Sequence, residues 1–378
     1  MADFQWVVVG AGFTGAVIAE RLASQLGQRV LVIDRRPHIA GNAYDFRNAS
    51  GLLIHRYGPH AFHTNSDKVW HYLSKFTSWR PYAHRVMASL ADQLVPLPFN
   101  LNAIDQVFPR PVAEDLSQRL IAAFGLGARV PIMKLRAERD DALQMLAAFI
   151  YDNVFRGYTQ KQWGLDPEAL DPAVTARVPV HVSRDNRYFQ DRFQGLPADG
   201  YTALFGRLLS HRNITVQLDT SYQTAATEVR GAKLVFTGPI DEYSDHRFGE
   251  LPYRSLAFRF QDYPGDAVQP VGQVNYPNDF AFTRTTEFKY LTGEVAPLTT
   301  VAEEYPEPYR HGTNEPYYPI PTRENAERLR PYSAAAGELA GKVFFAGRLG
   351  DYAYYNMDQA CARALALFEK QLSRASGA

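Results

Sequence analysis

A glycine-rich turn that follows a short hydrophobic strand constrains the fold of this chain more than any other feature. The β-branched run from Trp6 to Val9 leads into the sequence GAGFTG, and apolar residues then recur at helical spacing. A second apolar run, RVLVI, ends at Asp34, 19 residues beyond Gly15. Together these elements have the length of one βαβ unit, whose right-handed crossover makes its strands parallel. The sequence therefore predicts a Rossmann-like domain at the start of the chain.

The same turn is typical of dinucleotide binding. Glycines allow backbone N–H groups to approach a pyrophosphate at the positive end of the helix, and a carboxylate after the second strand binds ribose hydroxyls. The GxGxxG string alone is weak, and a tight turn that binds no ligand is the alternative. The continuation DRRPHIAGN resembles the RxxxGG sequence of FAD enzymes of the glutathione-reductase type, which favours FAD over NAD. Ala40 replaces one glycine of that pair, which requires a negative φ there.

A second segment, near the C-terminus, is predicted to contact the same cofactor. A buried strand is predicted from Val343 to Gly347, and the sequence GRLG that begins at Gly347 precedes a helix. Backbone dipoles and the Arg348 guanidinium would neutralise a pyrophosphate there, so two distant parts of the chain would build one site. The predicted cofactor contacts are Gly10, Gly12, Phe13, Thr14, Gly15, Asp34, Arg35, Gly41, Asn42, Gly347, Arg348 and Met357.

Composition narrows the class of protein further. Forty Lys and Arg balance forty Asp and Glu, so no global field attracts nucleic acid or anionic lipid. Cys361 is the only cysteine, which excludes an internal disulfide, a CxxC pair and a thiolate-rich zinc site. No basic signal-peptide region and no run of eighteen apolar residues is visible. We expect a cytoplasmic homo-oligomer with no membrane span, no nucleic-acid partner and no metal site.

The fold class predicted for the whole chain is α/β. A Rossmann-like FAD-binding domain of the glutathione-reductase type carries an α-helical insertion and an antiparallel β-sheet domain. The predicted FAD-binding domain comprises residues 1–80, 198–240 and 340–378. The predicted α-helical domain comprises residues 99–180, with a mobile lid loop at 170–180. The predicted β-sheet substrate domain comprises residues 81–98, 181–197 and 241–339.

Six stretches outside the glycine turn resemble those of bacterial UDP-galactopyranose mutases. They are YGPHAFHT at 57–64, YTQKQWG at 158–164, RVPV at 177–180, NRYFQDRFQGLP at 186–197, EPYYPIP at 315–321 and GRLGDYAYYNMD at 347–358. The resemblance covers essentially the whole chain, and YTQKQWG and the last stretch are the most discriminating. It implies interconversion of UDP-galactopyranose and UDP-galactofuranose with reduced FAD and no net redox change.

The resemblance also implies roles for individual residues. Arg177 and Arg284 would grip the UDP pyrophosphate, and His63 would lie against the flavin ring; these three are the expected catalytic residues. The expected substrate contacts are Tyr158, Phe155 and Trp163 around the uridine and sugar, Tyr188, Tyr354 and one of Tyr317 or Tyr318 near the pyrophosphate, and His84 close to His63. Where the family often has an acid, Asn356 would supply a neutral hydrogen bond.

Physical chemistry supports these assignments less sharply. Arginine forks suit phosphate oxygens, and no activated Ser, Cys or Lys nucleophile is evident, so N5 of reduced flavin is expected to attack the anomeric carbon. Without the resemblance, Arg177 would be a solvated surface charge and His63 a hydrogen-bonded core imidazole. Two alternatives are a flavin oxidase or desaturase of the same fold, which would require an apolar tunnel, and a cofactor-free binding protein similar to GDP-dissociation inhibitors.

Overall fold

A five-stranded parallel sheet organises the part of the molecule that contains the glycine turn. The computed structural model describes residues 4–91, 93–176, 178–225 and 231–375. The order of the strands across the sheet is Ile214–Gln217, Val30–Ile33, Trp6–Val9, Lys233–Phe236 and Val343–Phe345, and all neighbours are parallel. The helix Phe13–Leu26 makes the first crossover. This confirms the predicted Rossmann-like fold.

Helices cover this sheet and complete its hydrophobic core. The helix Phe13–Leu26 packs against Met357–Leu367, and Ala16, Ile18 and Leu22 are fully buried between them and the sheet. The other helices of this part are Asp67–Leu73, Tyr201–Leu208, Tyr222–Ala225, Ile240–Tyr243, Arg323–Glu338, Gly347–Gly350 and Ser373–Ala375. A π-helical turn, Phe368–Leu372, ends the helix that the sequence predicts to run regularly to Leu372.

A helical unit with its own core forms the middle of the chain. Its helices are Leu101–Val107, Arg110–Phe124, Ile132–Arg136, Asp141–Ile150 and Gly157–Trp163, with a π-helical turn at Tyr151–Arg156. Leu116, Leu120 and Leu146 lie in that core. A 3-10 turn, Pro167–Ala169, precedes the segment 170–180 that is predicted to be a lid loop, and a short helix, Pro172–Thr175, lies within it. Arg177 lies outside the described residues, and the mobility of the lid stays a prediction.

A seven-stranded sheet forms the third part of the molecule. Its strands are, in order, Tyr318–Pro319, Tyr253–Pro264, Leu298–Pro308, Arg284–Glu287, Gln273–Asn275, Val86–Leu90 and Gln93–Leu97. The prediction of an antiparallel sheet is correct except for one pair, because Gln273–Asn275 runs parallel to Val86–Leu90. The strand Tyr253–Pro264 is twelve residues long, and its residues 254–264 pair with the whole of Leu298–Pro308.

Three small sheets and two short helical turns connect these parts. The strands are Phe62–Thr64, Phe193–Pro197 and Trp79–Pro81 in one sheet, Asp45–Arg47 with Leu53–His55 in another, and Arg129–Val130 with Val180–His181 in the third. The turns are Gly41–Ala43 and Phe288–Thr292. Across the described ranges, no helix is long and apolar enough to cross a membrane. The domain boundaries predicted from the sequence stay a prediction.

Candidate active site

A cavity of about 540 Å³ opens at the carboxyl ends of the parallel strands. Val9, Asp34, Phe236 and Gly347, which end or follow four of the five strands, all line it. This is the edge of an open parallel sheet where ligands bind, because the helix N-termini point their N–H groups there. Of the twelve predicted cofactor contacts, Gly15 alone is absent from the cavity wall.

The glycine turn leaves no room for side chains. A Cβ on Gly10, whose φ is +101°, would lie 2.1 Å from Thr237 Oγ1, and a Cβ on Gly15 would lie 1.9 Å from the Gly10 carbonyl oxygen. A Cβ on Gly41 would lie 3.0 Å from the Cα atom of Gly12. The turn is therefore a bare backbone cradle at the start of a helix. Gly15 acts by allowing strand and helix to approach closely.

Asp34 is held in a fixed orientation at the end of the second strand. Its Oδ2 atom accepts a hydrogen bond from the Ala11 N–H at 2.8 Å, and its Oδ1 atom accepts one from the Arg36 N–H at 2.9 Å. The side chain lines the cavity although the residue is only 9% exposed. A carboxylate fixed in this way is suited to accept hydrogen bonds from ribose hydroxyls.

The expectation of a negative φ at Ala40 is wrong. Its φ is +75° and its ψ is −2°, which is the left-handed conformation that glycine ordinarily supplies. The Ala40 N–H donates to the Ala11 carbonyl at 3.0 Å, so the turn keeps its shape around a buried methyl group. An alanine in this conformation costs about 1–2 kcal/mol. The RxxxGG backbone is thus retained although one glycine is replaced.

The C-terminal segment closes the other side of the cavity. The Arg348 guanidinium donates to the Tyr355 carbonyl from Nε at 3.2 Å and to the Tyr317 carbonyl from Nη1 at 3.3 Å. Asn356 also lines the cavity, and it is the N-cap of the helix Met357–Leu367, in a reciprocal capping box with Gln359. The predicted hydrogen bond from Asn356 to a ligand would have to coexist with this structural role.

His60, and not the predicted His63, lines the cofactor cavity. The His63 ring stacks on Phe189 with ring centroids 3.6 Å apart, and its Nδ1 atom lies 2.9 Å from Asp191 Oδ2. The contact of His63 with the flavin ring therefore stays a prediction. In His60, Nδ1 donates to the Gly58 carbonyl at 2.7 Å, and burial lowers the pKa of the ring to about 3. A neutral His60 keeps an unprotonated Nε2.

Arg284 is anchored by a carboxylate on the neighbouring strand. Its Nε and Nη2 atoms donate to Glu304 Oε2 at 2.9 and 2.7 Å, and the two residues lie directly opposite each other in the sheet. Burial opposes the charged form of Arg284, but attraction to Glu304 outweighs it and the pKa is raised. The guanidinium is therefore a permanent cation in a fixed position, with its side chain one quarter exposed.

Aromatic side chains from three segments meet near Arg284. The Trp163 ring lies 5.0 Å from Tyr318 and 5.4 Å from Tyr354, and the two tyrosine rings are 5.4 Å apart. Tyr158 interacts electrostatically with Arg284, and burial raises its pKa. The structure thus brings together five of the residues that the resemblance selects. Tyr317 lies beside them and lines the cofactor cavity.

The remaining predicted substrate contacts lie on the helical side of this cluster. Phe155 is buried in the core of the helical unit. Tyr188 packs with its ring 5.8 Å from His84, and His84 Nδ1 lies 3.0 Å from the Tyr82 hydroxyl. Burial, together with the positive charge of Arg284, lowers the pKa of His84 to about 4. His84 is therefore a neutral ring close to the Arg284 cation.

Sequence analysis missed several residues of the cavity wall. Arg36 follows the predicted Arg35, and Glu315 begins the EPYYPIP stretch, so both lay within motifs already singled out. His60 lies three residues before the chosen His63. Thr220 and Tyr222 follow a strand of the parallel sheet and had no distinguishing pattern around them.

Comparison with known proteins decides the family. A model of the UDP-galactopyranose mutase family matches residues 153–354, and a model of NAD(P)-binding Rossmann-like domains matches residues 8–76. The first match covers more than half of the chain and includes Arg284, Tyr158 and Trp163. The chain belongs to the UDP-galactopyranose mutase family.

Relatives match this UDP-galactopyranose mutase family member over nearly its whole length. A probable UDP-galactopyranose mutase of Klebsiella pneumoniae is 37% identical over 97% of this chain and 94% of the relative. A dTDP-fucopyranose mutase of Escherichia coli is 35% identical over 93% of this chain and 94% of the relative. A UDP-galactopyranose mutase of Mycoplasma genitalium is 34% identical over 98% of this chain and 95% of the relative.

Solved structures support the fold of this family member. The crystal structure of a reduced UDP-galactopyranose mutase aligns with a TM-score of 0.70 at 16% identity, covering all of this chain and 98% of that chain. A putrescine oxidase variant aligns with a TM-score of 0.51 at 11% identity, covering 98% of this chain and 99% of that chain. The fold alone is therefore shared with an oxidase, whereas the family matches favour a mutase over the oxidase and binding-protein alternatives.

Proposed function

We propose that this protein is a flavin-dependent isomerase that interconverts UDP-galactopyranose and UDP-galactofuranose with no net redox change. The observation that carries the proposal is the fixed Arg284 cation among Tyr158, Tyr318 and Tyr354, directly beside the cofactor cavity. A cation held among phenol hydroxyls suits the pyrophosphate of a nucleotide sugar. An amine or lipid oxidase would instead need an apolar tunnel, and this cluster is charged and polar.

The wall of the large cavity fits FAD. The bare turn around Gly10 and Gly12 would receive the pyrophosphate, Asp34 the adenosine ribose, and Arg348 the negative charge from the opposite side. The deciding observation is steric, because a Cβ on Gly10 would collide with Thr237 Oγ1, and Gly12 faces the backbone of Gly41, so the turn presents bare backbone to the cavity. When bound and reduced, FAD supplies a nucleophile that can attack an anomeric carbon.

The residues of the chain would hold the leaving group in place while the sugar rearranges. Arg284 has five N–H donors, of which Glu304 engages two, and the others are directed to phosphate oxygens. Burial raises the pKa values of Tyr158 and Tyr318, so both phenols stay protonated and donate hydrogen bonds to anions. UDP retained by these donors is positioned to reattack the same carbon, which avoids loss of the sugar to water.

Arg177 would complete this grip from the opposite side. It lies outside the described residues, so this assignment depends on the RVPV stretch alone. A guanidinium on a loop at 170–180 would close over the pyrophosphate when UDP binds. The proposal includes a cytoplasmic location and a homo-oligomeric state. The buried free thiol of Cys361 is compatible with a reducing compartment.

A second candidate substrate is dTDP-fucopyranose. The dTDP-fucopyranose mutase matches almost as well as the UDP-galactopyranose mutases, at 35% against 37% identity. The ring contraction is the same in both reactions, whereas the substrates differ in the base, in the 2′-hydroxyl of the ribose and in the hydroxyl at C6 of the transferred sugar. Similarity across the whole chain therefore supports the type of reaction more strongly than it supports either nucleotide sugar as the substrate.

The test is a direct assay of both reactions. The purified protein is reduced with dithionite and incubated separately with UDP-galactofuranose and dTDP-fucofuranose, and the pyranose products are separated by chromatography. We expect conversion of the UDP sugar, and no conversion by the air-oxidised protein. Conversion of the dTDP sugar alone would replace the proposed substrate, and conversion of neither by fully flavin-loaded protein would overturn the proposal.

A further inference from the structure

One short segment of the chain belongs to two sites at once. Pro316 and Tyr317 line the cofactor cavity, while the next residue, Tyr318, packs against Trp163 in the aromatic cluster. Tyr318–Pro319 is also an edge strand of the seven-stranded sheet, with only two residues paired. So short a strand fixes the position of its side chains weakly, and other contacts must hold the segment.

Glu315 provides such a contact at the start of the segment. Its Oε2 atom accepts hydrogen bonds from Arg35 Nη2 at 2.9 Å and from Arg36 Nη2 at 2.8 Å. Arg36 also donates from Nη1 to Asn42 Oδ1 at 2.9 Å, and its side chain is only 12% exposed. One carboxylate oxygen therefore binds the tyrosine segment to the loop that follows Asp34 in the cofactor cavity.

Aromatic contacts extend this connection to Tyr317. The Arg36 guanidinium lies over the Tyr57 ring, 4.5 Å from its centroid, and the Tyr57 ring lies 6.1 Å from that of Tyr317 in an edge-to-face arrangement. On the other side, Arg348 donates to the Tyr317 carbonyl. The position of Tyr317 is thus set by two arginines, each of which lines the cofactor cavity.

We propose that Glu315 is a positioning residue, which holds Tyr317 and Tyr318 in place for UDP binding by fixing their segment to the cofactor loop. The inference rests on the proposed function, because it takes these tyrosines to contact the nucleotide. Glu315 itself lies on the cofactor side, so its effect on substrate is transmitted through the backbone from 315 to 318. The consequence is that UDP affinity depends on a carboxylate that does not touch UDP.

The test compares Glu315→Gln with wild type. We expect its dissociation constant for UDP, measured by calorimetry on the flavin-loaded protein, to rise about fivefold, as loss of a partly exposed charge network would cause. KM should rise by a larger factor than kcat falls, because the carboxylate acts on the position of the tyrosines that bind the nucleotide, and the melting temperature should change little. Glu307→Gln is the matched control, since Glu307 is bonded only weakly, to Asn314 at 3.4 Å, near the same segment.

A conservative variant separates positioning from general stability. Glu315→Asp keeps a carboxylate facing Arg35 and Arg36, the two arginines that donate to Glu315, and should recover part of the UDP affinity lost in Glu315→Gln. It also carries the test if the Gln variant folds poorly. A folded, flavin-loaded Glu315→Asp that binds UDP no better than Glu315→Gln would overturn the proposal, as would loss of flavin from Glu315→Gln with unchanged UDP affinity.

A reference variant distinguishes this inference from the proposed function. Tyr318→Phe should weaken UDP binding if the tyrosine contacts the nucleotide. If Tyr318→Phe and Arg284→Lys both leave UDP affinity unchanged, the proposed site is wrong. If they weaken it while Glu315→Gln does not, the site stands and the positioning role of Glu315 is wrong.

Discussion

Gly15 is the residue of the cofactor turn at which a side chain would meet the closest obstacle. An added Cβ would lie 1.9 Å from the Gly10 carbonyl oxygen, which is backbone and cannot move away cheaply. We predict that Gly15→Ala lowers the free energy of unfolding by more than about 2 kcal/mol and abolishes flavin retention. Urea unfolding and the flavin-to-protein absorbance ratio measure the two effects.

Gly206→Ala is the matched control for that prediction. Gly206 lies within the helix Tyr201–Leu208, and an added Cβ there meets nothing within 4 Å. Because alanine loses less backbone entropy in a helix, this change should stabilise the protein by about 0.5–1 kcal/mol. Equal behaviour of the two variants would show that the close approach at Gly15 is not essential to the turn.

Four histidines with strongly lowered pKa values make the protein sensitive to acid. Burial lowers the pKa values of His55 and His60 to about 3 and those of His84 and His181 to about 4, against 6.5 for an ordinary histidine. Below pH 6.5 the unfolded chain binds protons that the folded chain does not, so stability is complete above that pH and decreases as the pH falls. Each group contributes about 1.4 kcal/mol per pH unit in that range.

The prediction is tested by measuring urea unfolding between pH 7.5 and 5. His55→Gln, which keeps a hydrogen-bond acceptor for the His60 backbone N–H, should reduce the contribution of these four histidines to the pH dependence of the free energy of unfolding by about one quarter. His71→Gln, on an exposed helix position, is the control. A slope that is unaffected by His55→Gln would contradict the assignment.

At the scale of elements, Asn356 begins the helix that packs on the first helix of the Rossmann unit. Its side chain accepts a backbone N–H, and Gln359 Oε1 accepts the Asn356 N–H at 2.8 Å. We predict that Asn356→Ala lowers the free energy of unfolding by about 1 kcal/mol, whereas Asn356→Asp, an equally good cap, leaves it unchanged. Equal destabilisation by both variants in urea unfolding would rule out capping as the cause.

Elements determined by nearby residues could be predicted from the sequence. The strand, glycine turn and helix around Gly12 follow from a local pattern, and so does the strand near Gly347. The packing of His63 could not be predicted, because its ring stacks on Phe189 from a different part of the chain. Likewise, Glu315 meets Arg36 across 279 residues, which no local pattern indicates.

At the scale of the whole molecule, Cys361 reports on the integrity of the core. It is fully buried on the helix Met357–Leu367, and burial raises the pKa of its thiol. We predict negligible labelling by a thiol reagent in the native protein and full labelling through the urea transition. Cys361→Ser should abolish labelling and leave turnover intact, and rapid labelling of the native protein would show that this helix opens independently.

The parallel sheet takes its last strand, Val343–Phe345, from near the end of the chain, whereas its first, Trp6–Val9, comes from the beginning. During synthesis the first βαβ unit is therefore complete hundreds of residues before the segment with Arg348 leaves the ribosome. The growing chain carries half of a nucleotide cradle for most of its translation. Tight flavin capture must therefore wait until that segment has been made, and folding of this long-range sheet is expected to be slow. Free flavin supplied to ribosome-bound chains lacking the last 40 or so residues should find no stable binding site.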